Sequence, residues 1–563
     1  MPELPHKNGD CLIRRQSSLV FDENQVYELV IIGSGISCAY TLIHYLQLLS
    51  KKPLVSKRSE SKSQIIRLAV IEKSGEFWTG IAYGKKSTRQ SLIITPLKEF
   101  LPQTERSRFV EWLQNNHLTV MISLKQREGS LSDKWIKSYR EAINLGNWND
   151  LFIPRYLFGL YLQERMLGLL EQAKNYLRCD LIKANVCNIH KKINIYQIDT
   201  VEGKCIIANK IVLAIGSPPN KIAFQQKIES SRLSYDACYI TNMYEPSQTS
   251  NIIKISDRLQ TNRHRARCPN QILIIGSNAS ALETIYNLNN LPEVANLIDR
   301  FIVISPSATF PHQIADCPVS PTYKAKNLEL LLKQSDVTAK QIYEAAKQDV
   351  LIALDSNETI DSTYPIISQA VIKALNQLCY VQQKQFVTKY GVEIGKFQRR
   401  AGIDYLSVAD SLASNGKLKF IRGKFIDRIP LSEGFGFKFV TPNNEQPQLY
   451  PNSIQIIINC AGFQDLTKSS SPLINSLIQQ GICIPNDSKC GFKINENFEA
   501  HQNLYLMGPL IAGNINDRFK VWHAESCGRI FNLSLHLAEI LVKDANNLKG
   551  EKITDDEPKK AEG

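Results

Sequence analysis

Residues 27–49 read YELVIIGSGISCAYTLIHYLQLL, and this stretch decides the fold of the first part of the chain. An apolar, β-rich run meets a glycine turn, and apolar residues then recur at helical spacing. Gly33 permits the tight turn, and Gly35 lets the backbone approach a pyrophosphate, which the amides at the start of the helix would also face. The pattern predicts a dinucleotide-binding turn whose contacts are Gly33, Ser34, Gly35, Ile36 and Ser37.

A second apolar strand supports this interpretation. It reads IIRLAVIEK over residues 65–73 and ends at Glu72, whose carboxylate is placed to accept hydrogen bonds from ribose hydroxyls. The interval from the glycines to Glu72 exceeds the usual ~20 residues, because the polar stretch 51–64 is inserted between them. The alternative is a glycine turn of an ordinary α/β protein, but the flanking strands and helix favour dinucleotide binding.

A second strand–turn–helix unit begins at Gln271 and reads QILIIGSNASALETIYNL. Its candidate cofactor contacts are Gly276, Ser277, Asn278 and Ala281. Asn278 stands where a second glycine is expected, and its side chain narrows the approach to a pyrophosphate. The next strand, RFIVIS, ends without an acid for a ribose and without Arg for a 2′-phosphate, although Arg263, Arg265 or Arg267 could reach from the preceding loop. A weak NADPH site and a degenerate structural unit both remain open.

Length and composition limit the class of protein. A chain of 563 residues predicts two or three domains. No apolar run approaches the ~18–20 residues of a membrane span, and the polar N-terminus lacks the apolar core of a secretory signal. The 13 cysteines are scattered, and no C-x-x-C occurs, so we expect neither a metal site nor a redox dithiol. These features predict a cytoplasmic protein without a membrane span.

The net charge of +13 is concentrated in two polar stretches, residues 51–64 and 254–267. Neither has the aromatic residues between the basic ones that a single-strand nucleic-acid surface would need. Solvated surface loops are the simpler explanation, and we expect no nucleic-acid partner. Action on RNA stays open as an alternative only because of the overall charge.

Further stretches carry a family resemblance. They are GIAYGKKSTRQSLIITPLKEFLP (80–102), FIPRYLFGLYLQERM (152–166), IVLAIGSPP (211–219), NCAGF (459–463) and LYLMGP (504–509). Together with the two glycine turns, they make the chain resemble bacterial two-dinucleotide-binding flavoproteins that are distantly related to flavin N-hydroxylating monooxygenases. The resemblance runs along most of residues 27–540.

The resemblance implies FAD at the first turn, with its ADP half held there and by Glu72. It places the remaining FAD contacts at Tyr83, Thr95, Gly216, Gly462 and Gly508. Two departures from the family pattern stand out. Ile93 and Ile94 precede Thr95-Pro96 where Leu-Asn is frequent, and the basic segment 395–400, GKFQRR, lacks the family's His.

The predicted fold class is α/β, with a Rossmann-like FAD-binding domain that is interrupted by a second, Rossmann-like NAD(P)-binding domain with a helical insert. The predicted segments are a flexible tail (1–25), the first part of the FAD-binding domain (26–225), the NAD(P)-binding-like domain (265–345), the helical insert (346–418), the return to the FAD-binding domain (419–542) and a disordered tail (543–563).

The histidines give no catalytic assignment. His312 follows the strand of the second unit, and His523 lies at the start of the last helix. A loop position explains the first, and helix capping or packing explains the second, more simply than proton transfer. No G-x-S-x-G, Walker or kinase pattern is present in the sequence.

The predicted function is an FAD-dependent oxidoreductase that NADH or NADPH reduces and that acts on a small molecule, with monooxygenation as one form of the reaction. The first alternative is a flavin-binding protein whose FAD is structural or sensory and whose nicotinamide site is degenerate. The second is a flavoprotein that acts on RNA.

Overall fold

The computed structural model describes residues 26–51, 65–221, 223, 238–265, 268–431, 433–523 and 526–547. The predicted tail at residues 1–25, the polar loop 52–64 and most of the predicted tail at 543–563 lie outside the described residues. The last helix reaches Asn547, so residues 543–547 are helical rather than part of a tail. A helix that is already formed extends at little cost past the end of its apolar face.

The described strands are, in chain order, β1 (Val26–Ile32), β2 (Ile66–Glu72), β3 (Leu177–Lys183), β4 (Val186–Lys191), β5 (Tyr196–Thr200), β6 (Cys205–Leu213), β7 (Cys238–Ile240), β8 (Gln271–Ile275), β9 (Arg300–Ser305), β10 (His312–Gln313), β11 (Arg400–Ala401), β12 (Leu418–Arg422), β13 (Lys424–Pro430), β14 (Phe435–Thr441), β15 (Asn444–Ile454), β16 (Ile456–Asn459), β17 (Glu499–His501), β18 (Leu504–Leu506), β19 (Asn514–Ile515) and β20 (Lys520–Val521).

The described α-helices are α1 (Ile36–Lys51), α2 (Gly80–Tyr83), α3 (Leu97–Phe100), α4 (Gln103–Asn115), α5 (His117–Lys125), α6 (Ser130–Asn144), α7 (Arg155–Ala173), α8 (Gln248–Arg265), α9 (Ala279–Asn290), α10 (Pro292–Ala295), α11 (Lys326–Leu331), α12 (Ala339–Asp355), α13 (Ile360–Gln377), α14 (Tyr380–Gln385), α15 (Gly391–Phe397), α16 (Ile403–Ser414), α17 (Pro472–Gln479) and α18 (Cys527–Asn547). A π-helical turn, Phe386–Tyr390, joins α14 to α15.

The first sheet has eight strands, with β18, β6, β1, β2 and β3 running parallel in that order. β1 is central, and its residues from Leu29 to Ile32 are almost completely buried. Parallel strands are covered on both faces, which explains why this strand is a continuous apolar run. α1 packs against the last helix, α18. The Gly turn between β1 and α1 therefore lies at the carboxyl edge of the sheet.

The second sheet has five parallel strands in the order β12, β9, β8, β16 and β7. α9 follows β8 through the second Gly turn. A three-stranded antiparallel sheet, β13–β15, packs on the second sheet through Phe425, Phe437 and Tyr450. The two parallel sheets, each with its Gly turn, confirm the predicted fold class.

The sheet pairing differs from the predicted domain boundaries. Residues 419–542 were assigned to the first domain, but β12 pairs with β9, and β16 pairs with both β8 and β7. β7 and α8 also precede the predicted start of the second domain at residue 265. Parallel strands that are neighbours in a sheet can be far apart in the chain, so the local sequence does not reveal which strands pair. Gly462 thus follows a strand of the second sheet.

A helical layer from α11 to α15 lies between β10 and β11, so the described helices begin before the predicted insert at residue 346. It has its own apolar core, which includes Ile342, Ile367, Leu375 and Phe386. A larger core is continuous between residues of both parallel sheets. Among the described residues, no helix combines the length and apolar character needed to cross a membrane.

Candidate functional site

The first Gly turn depends on the close packing of β1 against β6. Gly33 has φ +92°, and its amide donates a hydrogen bond to the carbonyl oxygen of Ile71 at 2.8 Å. A Cβ at this position would lie 2.5 Å from the carbonyl oxygen of Ala214. Both the left-handed backbone and the crowding require glycine. Gly33 is therefore required for the backbone conformation of the turn.

Gly35 faces open space instead. A Cβ at Gly35 would meet only the Cα of Gly80, at the ordinary contact distance of 3.6 Å. Gly216, which follows β6 on the same edge of the sheet, has no atom within 4 Å of a Cβ position. Space for a side chain is present at both positions, but Gly216 has φ +79°, which favours glycine in any case, so only Gly35 lacks a backbone reason to be glycine. Such bare backbone at a helix N-terminus fits a bound dinucleotide.

Glu72 lies at the end of β2, beside this turn. Its Oε2 accepts a hydrogen bond from the amide of Ser34 at 3.0 Å. Its Oε1 accepts from the amide of Ser74 at 3.0 Å and from the Ser74 hydroxyl at 2.9 Å. A carboxylate has about four acceptor positions, so one position, on Oε2, remains for a ligand. The structure thus places the predicted ribose contact next to the predicted phosphate contact.

Two further glycines approach the start of α1. Gly80 has φ +59°, and its Cβ would lie 2.9 Å from the Cα of Gly35. Gly508 has φ +93°, and its Cβ would lie 2.4 Å from Ser37 Oγ. The Gly80 turn and the Gly508 turn thus lie against the start of α1. Ile36 begins α1 and is partly buried.

Tyr83 and Thr95 lie on the segments that flank this region. The Tyr83 hydroxyl lies 3.5 Å from Cys527 Sγ, and its ring contacts Phe158 edge-to-face at 5.2 Å. Burial raises the pKa of Tyr83, and it raises the pKa of the Cys527 thiol to about 12. Both groups are therefore protonated at neutral pH. Thr95 is half-buried and precedes Pro96, which caps α3.

The second Gly turn repeats the first at β8. Gly276 has φ +106°, its amide donates to the carbonyl oxygen of Ile304 at 2.8 Å, and its Cβ would lie 2.3 Å from the carbonyl oxygen of Cys460. Asn278 precedes α9 in an extended conformation, and Ala281 is fully buried in the first turn of that helix. Gly462 follows Cys460 near this second turn, and its carbonyl oxygen accepts a hydrogen bond at 2.8 Å from the amide of Lys221, in the segment that follows Gly216.

Hydroxyl groups stand at the ends of β8 and β9 where many dinucleotide sites have an acid. Ser277 Oγ donates to Ser305 Oγ at 2.9 Å and lies 3.5 Å from Ser307 Oγ. The two serines at the end of β9 are 3.3 Å apart through their hydroxyl oxygens. This cluster is neutral, so it does not repel a phosphate as a carboxylate would.

Arg399 is the functional candidate that the sequence reasoning did not assign. One of its guanidinium nitrogens donates to the Oδ1 of Asn278. The short pairing of β10 with β11 brings it there, because the amide of His312 donates to the carbonyl oxygen of Arg399 at 2.8 Å. Within the described part of the chain, Arg399 has no carboxylate partner, whereas Arg400 is paired with Glu99 and Asp361. The basic residues of segment 395–400 were the sequence signal that could have pointed to Arg399.

The other candidates for a positive charge at the second Gly turn are Arg263, Arg265, Arg267 and His523. Arg263 donates to the carbonyl oxygen of Asn296 at 3.2 Å, near the amino end of β9, and therefore does not reach the second turn. Arg265 is the last residue of α8, and Arg267 lies outside the described residues. Desolvation and the guanidiniums of Arg529 and Arg399 lower the pKa of His523 to about 4. His523 is therefore neutral at physiological pH.

Residues 30–218 match the family model described as FAD-NAD(P)-binding. This segment includes the first Gly turn, Glu72 and β6. The match confirms the predicted cofactor class, FAD with NADH or NADPH, and it confirms the resemblance at the level of this domain.

The similar curated proteins are mycobacterial. Rv3403c of Mycobacterium tuberculosis (strain ATCC 25618 / H37Rv), an uncharacterised protein, is 29% identical over 523 residues, which are 92% of this chain and 95% of the relative. Mb3437c of Mycobacterium bovis, also uncharacterised, has the same identity and coverage. The similarity thus extends over nearly the whole of both chains.

Two solved structures align with nearly the whole chain at low identity. L-lysine 6-monooxygenase from Pseudomonas syringae is 14% identical, with 92% of this chain and 99% of that chain covered and a TM-score of 0.45. The reduced form of ornithine hydroxylase (PvdA) from Pseudomonas aeruginosa is 12% identical, with 92% and 100% covered and a TM-score of 0.48. These values are too low to transfer a substrate or a residue role to this chain.

Proposed function

We propose that the protein is an FAD-dependent oxidoreductase that a nicotinamide nucleotide reduces and that acts on a small molecule. One observation carries the proposal: two Gly turns stand at the carboxyl edges of two parallel sheets, and the first lies in the FAD-NAD(P)-binding segment. A bound FAD would supply hydride and oxygen chemistry that the side chains cannot supply.

The first turn is the proposed FAD site. The bare backbone at Gly35 and Gly216 would let a pyrophosphate lie against the N-terminus of α1. Glu72 would accept hydrogen bonds from the ribose, and the Gly80 and Gly508 turns would exclude water from the flavin side. Tyr83, protonated because it is buried, would orient the cofactor by packing rather than by proton transfer.

The second turn is the proposed nicotinamide-nucleotide site. Arg399 would supply the positive charge that a pyrophosphate needs, and Asn278 would hold that guanidinium in place through its amide oxygen. The hydroxyls of Ser277, Ser305 and Ser307 would tolerate a 2′-phosphate. We therefore propose NADPH as the preferred nucleotide, with modest affinity because the side chain of Asn278 occupies the position of a glycine.

Stopped-flow reduction under anaerobic conditions tests this proposal. NADPH should bleach the flavin faster than NADH, and Arg399→Ala should raise the NADPH concentration that gives half-maximal rate by about 10-fold or more, which corresponds to ~1.4 kcal/mol. Arg300→Ala is the matched control, because Arg300 is exposed at the opposite end of β9. If neither nucleotide reduces the flavin, the oxidoreductase proposal is wrong.

The same experiment addresses the alternative of a structural or sensory FAD. The side chain of Asn278 favours that alternative, because it stands where a pyrophosphate would approach the backbone. If that alternative holds, the purified protein should retain its flavin, and dithionite should reduce that flavin whereas neither NADPH nor NADH should.

A further inference from the structure

A stripe of polar side chains runs along the buried face of α9. Glu283, Asn287 and Asn290 are four and three residues apart, so they lie on one side of the helix. Their exposed fractions are only 5%, 2% and 0%. Polar residues are rarely buried to this extent unless their hydrogen bonds are satisfied. We call these three residues the polar seam of α9.

The partners of the seam lie mostly on segments outside the second sheet. Glu283 Oε1 accepts a hydrogen bond from Ser91 Oγ at 3.2 Å and forms an ion pair with Arg155 at the start of α7. Asn287 Nδ2 donates to the same Ser91 Oγ at 3.0 Å. Asn290 Oδ1 accepts from the amide of Ser132 at 2.9 Å. α9 is thus bonded to the 85–91 loop, to α6 and to α7.

Two residues at or just before the start of α8, which follows β7 of the second sheet, complete the environment of Glu283. The Tyr244 hydroxyl donates to Glu283 Oε1 at 2.9 Å, and the side-chain amide of Gln248 donates to the same oxygen. Gln248 Oε1 in turn accepts from the amide of Thr88 at 2.8 Å. Arg155 is almost enclosed, and the carboxylate of Glu283 raises its pKa against the opposing effect of desolvation.

A rotation of the second unit against the first would break this arrangement. It would separate the buried carboxylate of Glu283 from Arg155 and Ser91, and breaking a buried ion pair in this way is strongly unfavourable. It would also strip the amide groups of Asn287 and Asn290 of partners in a region that water does not reach. The arrangement of the two units seen here is therefore favoured over any rotated one.

We infer that the polar seam fixes the second Gly turn in one orientation relative to the first, and that Glu283 is a positioning residue for nucleotide-dependent reduction. This inference rests on the proposed function. α9 begins directly after Asn278, and Glu283 lies little more than one helical turn further on. A displacement of the seam is therefore transmitted to the turn, while Glu283 itself points away from the nucleotide site into the interface with Arg155.

Hydrogen exchange on the purified full-length protein tests the fixed arrangement without any reaction. Glu283→Gln should accelerate exchange at least 10-fold in peptides that cover residues 279–290 and 87–92, and leave the β13–β15 sheet unchanged. Glu245→Gln is the matched control, because Glu245 also pairs with a base of the first unit, Lys86, at 2.7 Å, but is exposed. Exchange that does not change at residues 279–290 and 87–92 overturns the inference.

Reduction kinetics test the positioning role. Glu283→Gln should lower the limiting rate of flavin reduction by NADPH at least 10-fold, with less than a twofold change in the half-saturating concentration. Dithionite, a small reductant that needs no second unit, should reduce the variant and the wild type equally fast. A purely structural role would slow both reductants or lower flavin content. A wild-type NADPH rate in the variant would overturn the inference.

A second variant keeps the test decisive if Glu283→Gln folds poorly. The double variant Arg155→Met/Glu283→Met removes both charges at similar volume, a change that buried ion pairs often tolerate. This double variant should fold, and NADPH should still reduce its flavin slowly, because the hydrogen bonds and the ion pair of Glu283 and Arg155 are absent. Full recovery of the wild-type rate would contradict a positioning role. If wild-type protein is not reduced by any nucleotide, the proposed function fails, and hydrogen exchange alone decides the fixed arrangement.

Discussion

Gly33 and Gly35 lie two residues apart, but the structure restricts them for different reasons. Gly33 is enclosed by the backbone of β6 and has a left-handed conformation. Gly35 is free of both restrictions, with only Gly80 near its Cβ position. A substitution at Gly35 therefore acts on a ligand rather than on the fold, which makes this residue the better probe of the FAD site.

Gly35→Asp is expected to abolish FAD retention while the protein stays folded. The carboxylate would occupy the space that the pyrophosphate needs and would repel it. Flavin absorbance per protein after purification, together with circular dichroism, measures the effect. Gly168→Asp is the control, since Gly168 is exposed on α7 and has no neighbour within 4 Å of its Cβ position. A folded Gly35→Asp protein with full flavin would show that the cofactor lies elsewhere.

Glu72→Ala is expected to weaken FAD binding by 10-fold or more, or ~1.4 kcal/mol. The change removes the acceptor for ribose hydroxyls and also the acceptor that holds the amide of Ser34. Titration of FAD into the apoprotein gives the dissociation constant. Glu72→Gln keeps one acceptor oxygen and should lose less affinity. Equal FAD affinity in the wild type and in Glu72→Ala would show that the carboxylate does not contact FAD.

At the scale of elements, local sequence revealed each strand–turn–helix unit because its signals are contiguous. The apolar run, the glycine and the helical spacing all fall within the span of β1 and α1, and again within β8 and α9. The pairing of β16, the strand before Gly462, could not be predicted because its partners β7 and β8 lie far away in the chain. Arg399 was missed for the same reason: the pairing of β10 with β11 spans the whole helical layer.

Asn278→Asp is expected to suppress reduction by NADPH at least 10-fold. The new carboxylate would pair with Arg399 and neutralise the charge available to a pyrophosphate. Asn278→Gly should lower the rate far less, because it adds no charge and removes the obstructing side chain, although it also removes the acceptor that holds Arg399. Stopped-flow traces with the three proteins make the comparison. An Asp variant as fast as wild type would exclude Asn278 and Arg399 from the nucleotide site.

Asp404, in the first turn of α16, provides a prediction about stability and pH. Desolvation raises its pKa from 3.8 to about 6, so the folded protein takes up a proton more readily than the unfolded chain. Stability from this group is therefore present below pH ~4 and is lost as pH rises through about 6. Asp404→Asn should stabilise the protein by up to ~3 kcal/mol at pH 8 and by little at pH 4.

Urea unfolding at the two pH values measures this difference. Asp410→Asn, on the exposed side of the same helix, is the control and should not change the midpoint. An equal shift for Asp404→Asn at pH 4 and pH 8 would show that packing, not ionisation, governs the site.

At the scale of the whole molecule, one apolar core joins residues of both parallel sheets, and the polar seam of α9 crosses the same interface. The sequence predicted two dinucleotide units but not how they meet, because Glu283, Asn287 and Asn290 are unremarkable polar residues until their partners are known. The two Gly turns thus belong to units that share an interface, and the proposed hydride transfer would need that interface to bring the two cofactors to reacting distance.

The most direct test of the central claim is the absorbance spectrum of the purified protein, before and after NADPH is added without oxygen. The account predicts the visible bands of an oxidised flavin, FAD as the flavin released on denaturation, and loss of those bands on addition of NADPH. A colourless protein that takes up no FAD on reconstitution would contradict the account.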